Sequence, residues 1–234
     1  MSSRALAFEG RTVSSRGGRV RRMLEAVLWG GAAALTATGA VNASSGGEVA
    51  VYPAPEGEAA NGDYRVEVNG RPVDVYAAQA EFFDQRYCFA SFDFSGEVTV
   101  RVTSTQSLER ATLAPARFGI QPEIAGPTGL TFTARQPFRI TIERDGRNSP
   151  LHLFGNPLET DAPKQGDPGV VYFGPGVHRP GVIRLTDGQT LYLAGGAVVK
   201  GAVQAKGANI SVRGRGVLDG SDYPHLKGPA GYML

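Results

Sequence analysis

Few side chains in the glycine-rich C-terminal third are of types that do chemistry, and their spacing matches no local catalytic motif. Asp219 lies in an Asp-Gly corner, where a short carboxylate takes backbone N–H groups and fixes the turn, and that role is expected of it. Asp222 and His225 follow in a stretch read as a solvated loop, the rim of a groove being the other role open to them. Lys200 is expected to point to solvent, opposite an inward Val198. His178, close after Gly176, is expected to be a structural histidine at a corner. His152, in Leu-His-Leu-Phe, is expected on the outward side of a strand, and Asp167-Pro168-Gly169 reads as a turn. The three histidines lack the close spacing of a local metal motif, and Cys88 is the only cysteine. An internal disulfide and a paired-cysteine zinc site are therefore excluded, and no metal or cofactor is expected. There is no Gly-x-Ser-x-Gly, no His-Glu-x-x-His and no Walker-type phosphate loop. Gly214-x-Gly216 is not followed by a helical pattern, so it is no dinucleotide fingerprint.

The elements that must position these residues show in residues 170–220. This stretch reads as three stacked lines. They are Val171-Tyr172-Phe173-Gly174-Pro175-Gly176-Val177, then Leu191-Tyr192-Leu193-Ala194-Gly195-Gly196-Ala197-Val198-Val199-Lys200-Gly201, then Ile210-Ser211-Val212-Arg213-Gly214-Arg215-Gly216-Val217-Leu218-Asp219-Gly220. Each is a short apolar run, a glycine corner and a second short run. The second and third lines register at an offset of 19, with Leu191 over Ile210, Leu193 over Val212, Gly195 over Gly214, Val198 over Val217 and Val199 over Leu218. The first and second register at 20, with Tyr172 over Tyr192 and Gly176 over Gly196. A period near twenty in Val-, Ile-, Leu- and Gly-rich segments marks a solenoid. A leucine-rich repeat would need a leucine ladder, an Asn turn and usually a helical return, and these are missing. A parallel β-helix needs short strands, glycine at the bends and apolar residues stacked on their counterparts one coil away.

Upstream, residues 48–163 read as antiparallel β structure. Tyr64-Arg65-Val66-Glu67-Val68 alternates outward polar and inward apolar residues. Asn69-Gly70 supplies the positive-φ pair of a tight hairpin, and Val73-Asp74-Val75-Tyr76 returns. Residues 87–94 form an aromatic-rich strand, with Phe89, Ser91 and Asp93 on one face and Cys88, Ala90, Phe92 and Phe94 on the other. Residues 97–103, 130–133 and 138–143 alternate likewise, and Asp145-Gly146 is a second hairpin turn from which Leu151-His152-Leu153-Phe154 pairs back. Seven or eight short strands with frequent turn signals suggest a β-sandwich. The only helical candidate is residues 77–85. A Pro-, Gly- and charge-rich stretch at 156–169 marks the boundary. The expected division is a leader over 1–43, a β-sandwich over 44–163 and the first coils of a parallel β-helix over 164–234.

The leader begins with Arg11, Arg16, Arg19, Arg21 and Arg22, continues into an apolar run over 26–41, and offers Val41-Asn42-Ala43 for cleavage. Arg21-Arg22-Met23-Leu24 resembles the core of a twin-arginine signal, with Val20 in place of the usual Ser or Thr. The apolar run is shorter than the ~20 residues of a membrane span, so no stable span is expected after cleavage. The whole chain has 24 basic and 22 acidic residues, and removing the leader takes away six arginines and two glutamates, which leaves 18 and 20. The basicity thus belongs to the leader; no basic stripe remains, and nucleic acid is not an expected partner.

Gly181-Val182-Ile183-Arg184-Leu185, the run from Gln189 to Gly201, and above all Gly214-Arg215-Gly216-Val217-Leu218-Asp219-Gly220 resemble the opening coils of pectinase-type right-handed β-helix enzymes. The nearest families are glycoside hydrolase family 28 (polygalacturonases) and family 49 (dextranases). Phe92-Asp93-Phe94-Ser95-Gly96-Glu97-Val98 and Leu153-Phe154-Gly155-Asn156-Pro157 resemble the small β-sandwich that precedes the β-helix in family 49 and in some bacterial relatives of family 28. The resemblance implies an all-β fold, a secreted or periplasmic monomer and a polysaccharide substrate. It implies hydrolysis by paired aspartates in an inverting mechanism. The Asn-Thr-Asp, Gly-Asp-Asp, Gly-His-Gly and Arg-Ile-Lys elements of family 28 do not occur in this chain. The resemblance places them in coils after Leu234, so no catalytic residue is assigned in this chain, substrate-binding residues stay unknown, and this polypeptide alone is expected to be inactive. Tyr172, Phe173 and Tyr192 are of a type that stacks on pyranose rings, but their alignment favours stacking in the coil interior. A polysaccharide lyase and a non-catalytic carbohydrate-binding β-helix remain alternatives.

Overall fold

The hairpin signal at Asn69-Gly70 is realised directly. β1 (Val49–Val51) is followed by β2 (Tyr64–Val68) and β3 (Arg71–Val73), and the turn between the last two holds Asn69 at φ 48° and Gly70 at φ 76°. Both angles lie in the left-handed region, which Asn and Gly enter most readily and which matches the strand twist. The computed structural model describes residues 46–59, 62–80, 85–144 and 149–223. The leader over 1–43, the Asp145-Gly146 turn, His225 and the last residues to Leu234 lie outside them.

The chain continues through β4 (Tyr76–Ala80), β5 (Gln85–Phe94), β6 (Val98–Ser104), β7 (Thr112–Ala114), a 3₁₀ turn (Ala116–Phe118), β8 (Glu123–Ile124), β9 (Gly129–Ala134), β10 (Phe138–Glu143) and β11 (Leu151–Pro157). Sheet order is β1-β5-β11-β10-β7 with β4 beside β5, and β3-β2-β6-β9-β8 in a second sheet. All pairs are antiparallel except β5 with β11. Inward residues of both sheets meet in one core, where Phe92, Phe138, Val66, Val98, Val100 and Leu130 are buried. Burying each such side chain contributes roughly 1.5–3 kcal/mol.

Two expectations fail here. Residues 77–85 are not helical where described: Tyr76–Ala80 pairs along Gln85–Phe94, and cross-strand partners such as Tyr76 and Phe89 outweigh the helix propensity of the alanines. Residues 73–76 are not one strand either. β3 ends at Val73, and the chain passes to the other sheet, where β4 begins at Tyr76.

From Val170 the pairing becomes parallel. β12 (Val170–Phe173), β14 (Thr190–Leu193) and β16 (Ser211–Gly214) form one three-stranded sheet, and β13 (Gly176–Leu185), β15 (Ala197–Ala205) and β17 (Val217–Asp219) form another. Each of three successive passes gives one strand to each sheet. Tyr172 pairs with Tyr192, and Val198 with Val217, at the expected offsets. Leu191 pairs with Val212 and not Ile210, and Gly176 with Ala197 and not Gly196. The cause is the corner. Four residues separate Leu193 from Val198, but only two separate their partners Gly214 and Val217, so the offset falls from 21 in one sheet to 19 in the other.

Ile183, Leu185, Leu191, Leu193, Val199 and Val203 form the inner cluster, with Val171, Phe173, Ile210 and Leu218 packed on it. Val199 faces inward, so by strand alternation Val198 and Lys200 both face the other way, contrary to the expected inward Val198. Val198 is still buried, on a face shared with Tyr76 and Phe89. Among the described residues no helix is long and apolar enough to cross a membrane.

Candidate functional site

Where the antiparallel sheets meet the parallel ones, the chain has placed its one fully buried charged residue among those described. Asp93 alternates with the core residues Phe92 and Phe94 and so stands on the opposite face of β5. Tyr52 donates its phenol hydrogen to Asp93 Oδ2 at 2.9 Å, and Arg215 donates from Nε to Asp93 Oδ1 at 2.6 Å. Arg215 also donates to the Pro157 carbonyl at 2.9 Å. Both carboxylate oxygens are therefore engaged, and a buried charge that would otherwise be costly is neutralised. Burial, and then the bond to Asp93, hold the Tyr52 phenol well above its usual pKa. Gly195 explains how Tyr52 gets so close: a Cβ on that residue would fall within the Tyr52 ring.

The tyrosines of the first two passes lie outside the inner cluster, not within it. Phe173 faces the inner cluster as expected, while Tyr172 and Tyr192 stack on the outer face with centroids 5.5 Å apart. Tyr192 donates to Glu159 Oε2 at 2.6 Å, and the Arg213 guanidinium lies 5.9 Å from its ring centre and bonds Asp161. Alternation accounts for the correction, since Leu191 and Leu193 fill the interior and Tyr192 between them must turn away.

The remaining sequence candidates are engaged one by one. Lys200 is not solvated: its Nζ is 3.0 Å from Glu58 and 3.9 Å from Asp219. Asp219 Oδ1 accepts from the Ser221 N–H at 2.9 Å, the expected turn role. Asp222 pairs with Arg179 at the surface, 3.0 Å away. His178 Nε2 donates to the Gly174 carbonyl at 2.7 Å, a structural role as expected. Asp167 Oδ2 accepts from the Lys164 N–H at 2.8 Å within its turn. These acids serve as ion-pair partners and turn caps. Among the described residues no three His, Cys, Asp or Glu side chains are grouped to hold a metal ion.

What the sequence reading missed is a cleft of about 540 Å³ between the outer face of β4, β5, β11 and β10 and the corner at Gly214–Leu218. Two cross-strand rows floor it. Tyr76, Phe89, His152 and Thr141 are successive partners across four strands, and Ser91, Phe154 and Arg139 across three. Tyr76 and Phe89 stack at 5.1 Å with their planes 12° apart. His152 Nδ1 bonds Thr141 Oγ1 at 2.9 Å, and burial lowers its pKa, which favours the neutral ring. Asn156 donates to Ser91 Oγ at 3.0 Å and to the Phe92 and Phe154 carbonyls at 3.4 and 3.5 Å. Two carbonyl acceptors fix that amide with its nitrogen toward them. The outward parity of Phe89 and Ser91 was readable in the sequence; their meeting with β4 and the corner was not.

No protein-family model matches the chain, and no curated protein matches it in sequence. Among solved structures, Dex49A from Penicillium minioluteum superposes with a TM-score of 0.54 at 17% identity, over 74% of this chain and 48% of that one. The chain thus spans about half the length of that structure. At this identity the likeness is one of fold: the chain is an all-β protein built on the same architecture as part of Dex49A.

Proposed function

We propose that residues 44–163 form a β-sandwich bracing the opening coils of a right-handed parallel β-helix over 164–234. We read the whole as the N-terminal portion of a polysaccharide-degrading glycoside hydrolase of the family 28 or 49 kind, with polygalacturonase-like chemistry. The leader over 1–43 would export it, and it would act as a monomer. The observation that carries this reading is the three passes that alternate between two parallel sheets at offsets near twenty. The likeness in fold to Dex49A supports it. In this reading the paired aspartates belong to coils following Leu234. One protonates the leaving oxygen and the other activates water, with carboxyls ~6.5–9.5 Å apart. The engagement of Asp93, Asp161, Asp219 and Asp222 by cations or backbone is consistent with a bracing segment.

A non-catalytic carbohydrate-binding protein is the second reading, favoured by the aromatic cleft. The test is reducing-end release from polygalacturonate and from dextran by the chain continued in its reading frame into further coils. Hydrolysis with inversion at the anomeric carbon is expected. Unsaturated product ends would mean a lyase instead, and saccharide binding without cleavage would mean a binder.

A further inference from the structure

The cleft on the outer face of the antiparallel sheet has no part in the hydrolytic reading, yet its composition is unusual for such a face. An antiparallel sheet packed on one side normally presents polar residues on the other. Here Tyr76, Phe89 and Phe154 occupy outward positions beside polar groups with hydrogen-bonding capacity left over. Asn156 spends its nitrogen on Ser91 and two carbonyls, which leaves Oδ1 without a partner among the described residues. The His152 ring stacks on Tyr87, and its one hydrogen bond among the described residues is at Nδ1, which leaves Nε2 without one there. The Tyr76 hydroxyl and the exposed Arg139 guanidinium likewise have no partner among the described residues. Arg215, the other cation of the cleft, is spent on Asp93.

We propose that this cleft is a non-catalytic binding site for a pyranose oligosaccharide. The aliphatic C–H faces of a pyranose pack on aromatic rings, whose electron-rich faces favour them, while its hydroxyls need donors and acceptors in alternation. The cleft offers both: rings from Tyr76, Phe89 and Tyr52, an acceptor at Asn156, a neutral imidazole that can donate or accept, and a guanidinium donor. A purely apolar ligand would leave those polar groups unpaired on desolvation. A polyphosphate would ask for more than one unspent cation. A peptide strand adds to a sheet edge, whereas this cleft lies over the central strands β5 and β11. The volume, about 540 Å³, lies within the range of small-molecule sites. The inference goes beyond the hydrolase reading, because the site holds sugar whether or not the same polypeptide cuts it.

Calorimetric titration of the full chain with isomalto-oligosaccharides and, separately, with oligogalacturonides tests the site. At least one series is expected to bind at millimolar concentration or below. Tyr76→Ala is expected to weaken binding about tenfold, the scale of one lost aromatic anchor. Arg139→Ala, at an exposed position that should leave folding intact, is expected to weaken it a few-fold, and more for the uronate series. Arg135→Ala, away from the cleft, should change nothing. Circular dichroism establishes that each variant is folded. A folded parent that binds neither series, or binding that both Tyr76→Ala and Arg139→Ala leave unaltered, overturns the proposal. Cleavage is measured separately, on the chain continued into further coils, so absence of hydrolysis there with binding retained counts against the hydrolase reading alone.

Discussion

In the antiparallel sheets, Val66, Val68, Val98, Val100 and Val102 are buried while Arg65, Glu67, Thr99 and Arg101 between them are exposed; in β15, Ala197, Val198 and Val199 are buried in succession. The first region, on β2 and β6, has one dry face and one wet one, so parity decides burial there; on β5, Asp93 between Phe92 and Phe94 is covered as well. The second is covered on both sides at this point, by its own interior and by the neighbouring sheet, as parallel strands usually are. The two cores differ in size as well. The antiparallel core gathers residues from two broad sheets around Phe92, Phe132 and Phe138, whereas the inner cluster between the parallel sheets is a small group of aliphatic residues. The parallel sheets therefore rely more on what lies beside them, and the Tyr52–Asp93–Arg215 network is where that support is tied.

Cutting this tie should give the largest effect. Arg215→Met leaves the buried Asp93 carboxyl without its cation, and is expected to cost about 3–5 kcal/mol in denaturant unfolding. The double variant Asp93→Asn/Arg215→Met should recover much of that loss. If the single variant unfolds like the parent, the tie is not what joins the two regions.

Core truncations sharpen the contrast between the two cores. Phe138→Ala is expected to cost about 3–5 kcal/mol and Leu191→Ala about 2–5, each at a fully or nearly fully buried site. Val212→Ala should fall within about 0.5 kcal/mol although Val212 pairs with Leu191, because it is 52% exposed. Urea midpoints of the three variants check the ranking.

Alkaline pH should act more gently, and on the antiparallel region. Burial, opposed by Arg144, pushes the Tyr64 phenol from 10 up to about 12. A raised folded-state pKa contributes stability that is fully present below pH 10 and is lost as pH rises toward 12, on the order of 2 kcal/mol. Tyr64→Phe removes the titrating group, and its stability should change less with pH across that window than the parent's does.

Most of the antiparallel region was legible because alternation and turn chemistry are local. Asn69-Gly70 fixed a hairpin, and the parity of residues 88–94 placed Asp93 opposite the core. The passage from β3 to β4 was not legible, since nothing in Asp74-Val75 says which sheet the next strand joins. The parallel passes were legible in period but not in register. Tyr172 over Tyr192 and Val198 over Val217 hold, but a corner shortened by two residues moves Leu191 from Ile210 to Val212. Glycine patterns mark corners without giving their length. The cleft and the Asp93–Arg215 pair join residues 122 positions apart, a separation that no local pattern reaches.

The parallel stacking of the passes, with Thr190 of β14 set beside Ser211 of β16, underlies both the fold and the function proposed for it. Thr190→Cys/Ser211→Cys and Thr190→Cys/Asn209→Cys variants, treated with a thiol cross-linker spanning one inter-strand spacing of about 4.8 Å, test it directly. Cys88 is buried and should stay silent. Efficient linkage of Thr190→Cys to Ser211→Cys is expected, and little to Asn209→Cys. Preferential linkage at position 209 would contradict the register, and no linkage at either position would contradict the parallel stack itself.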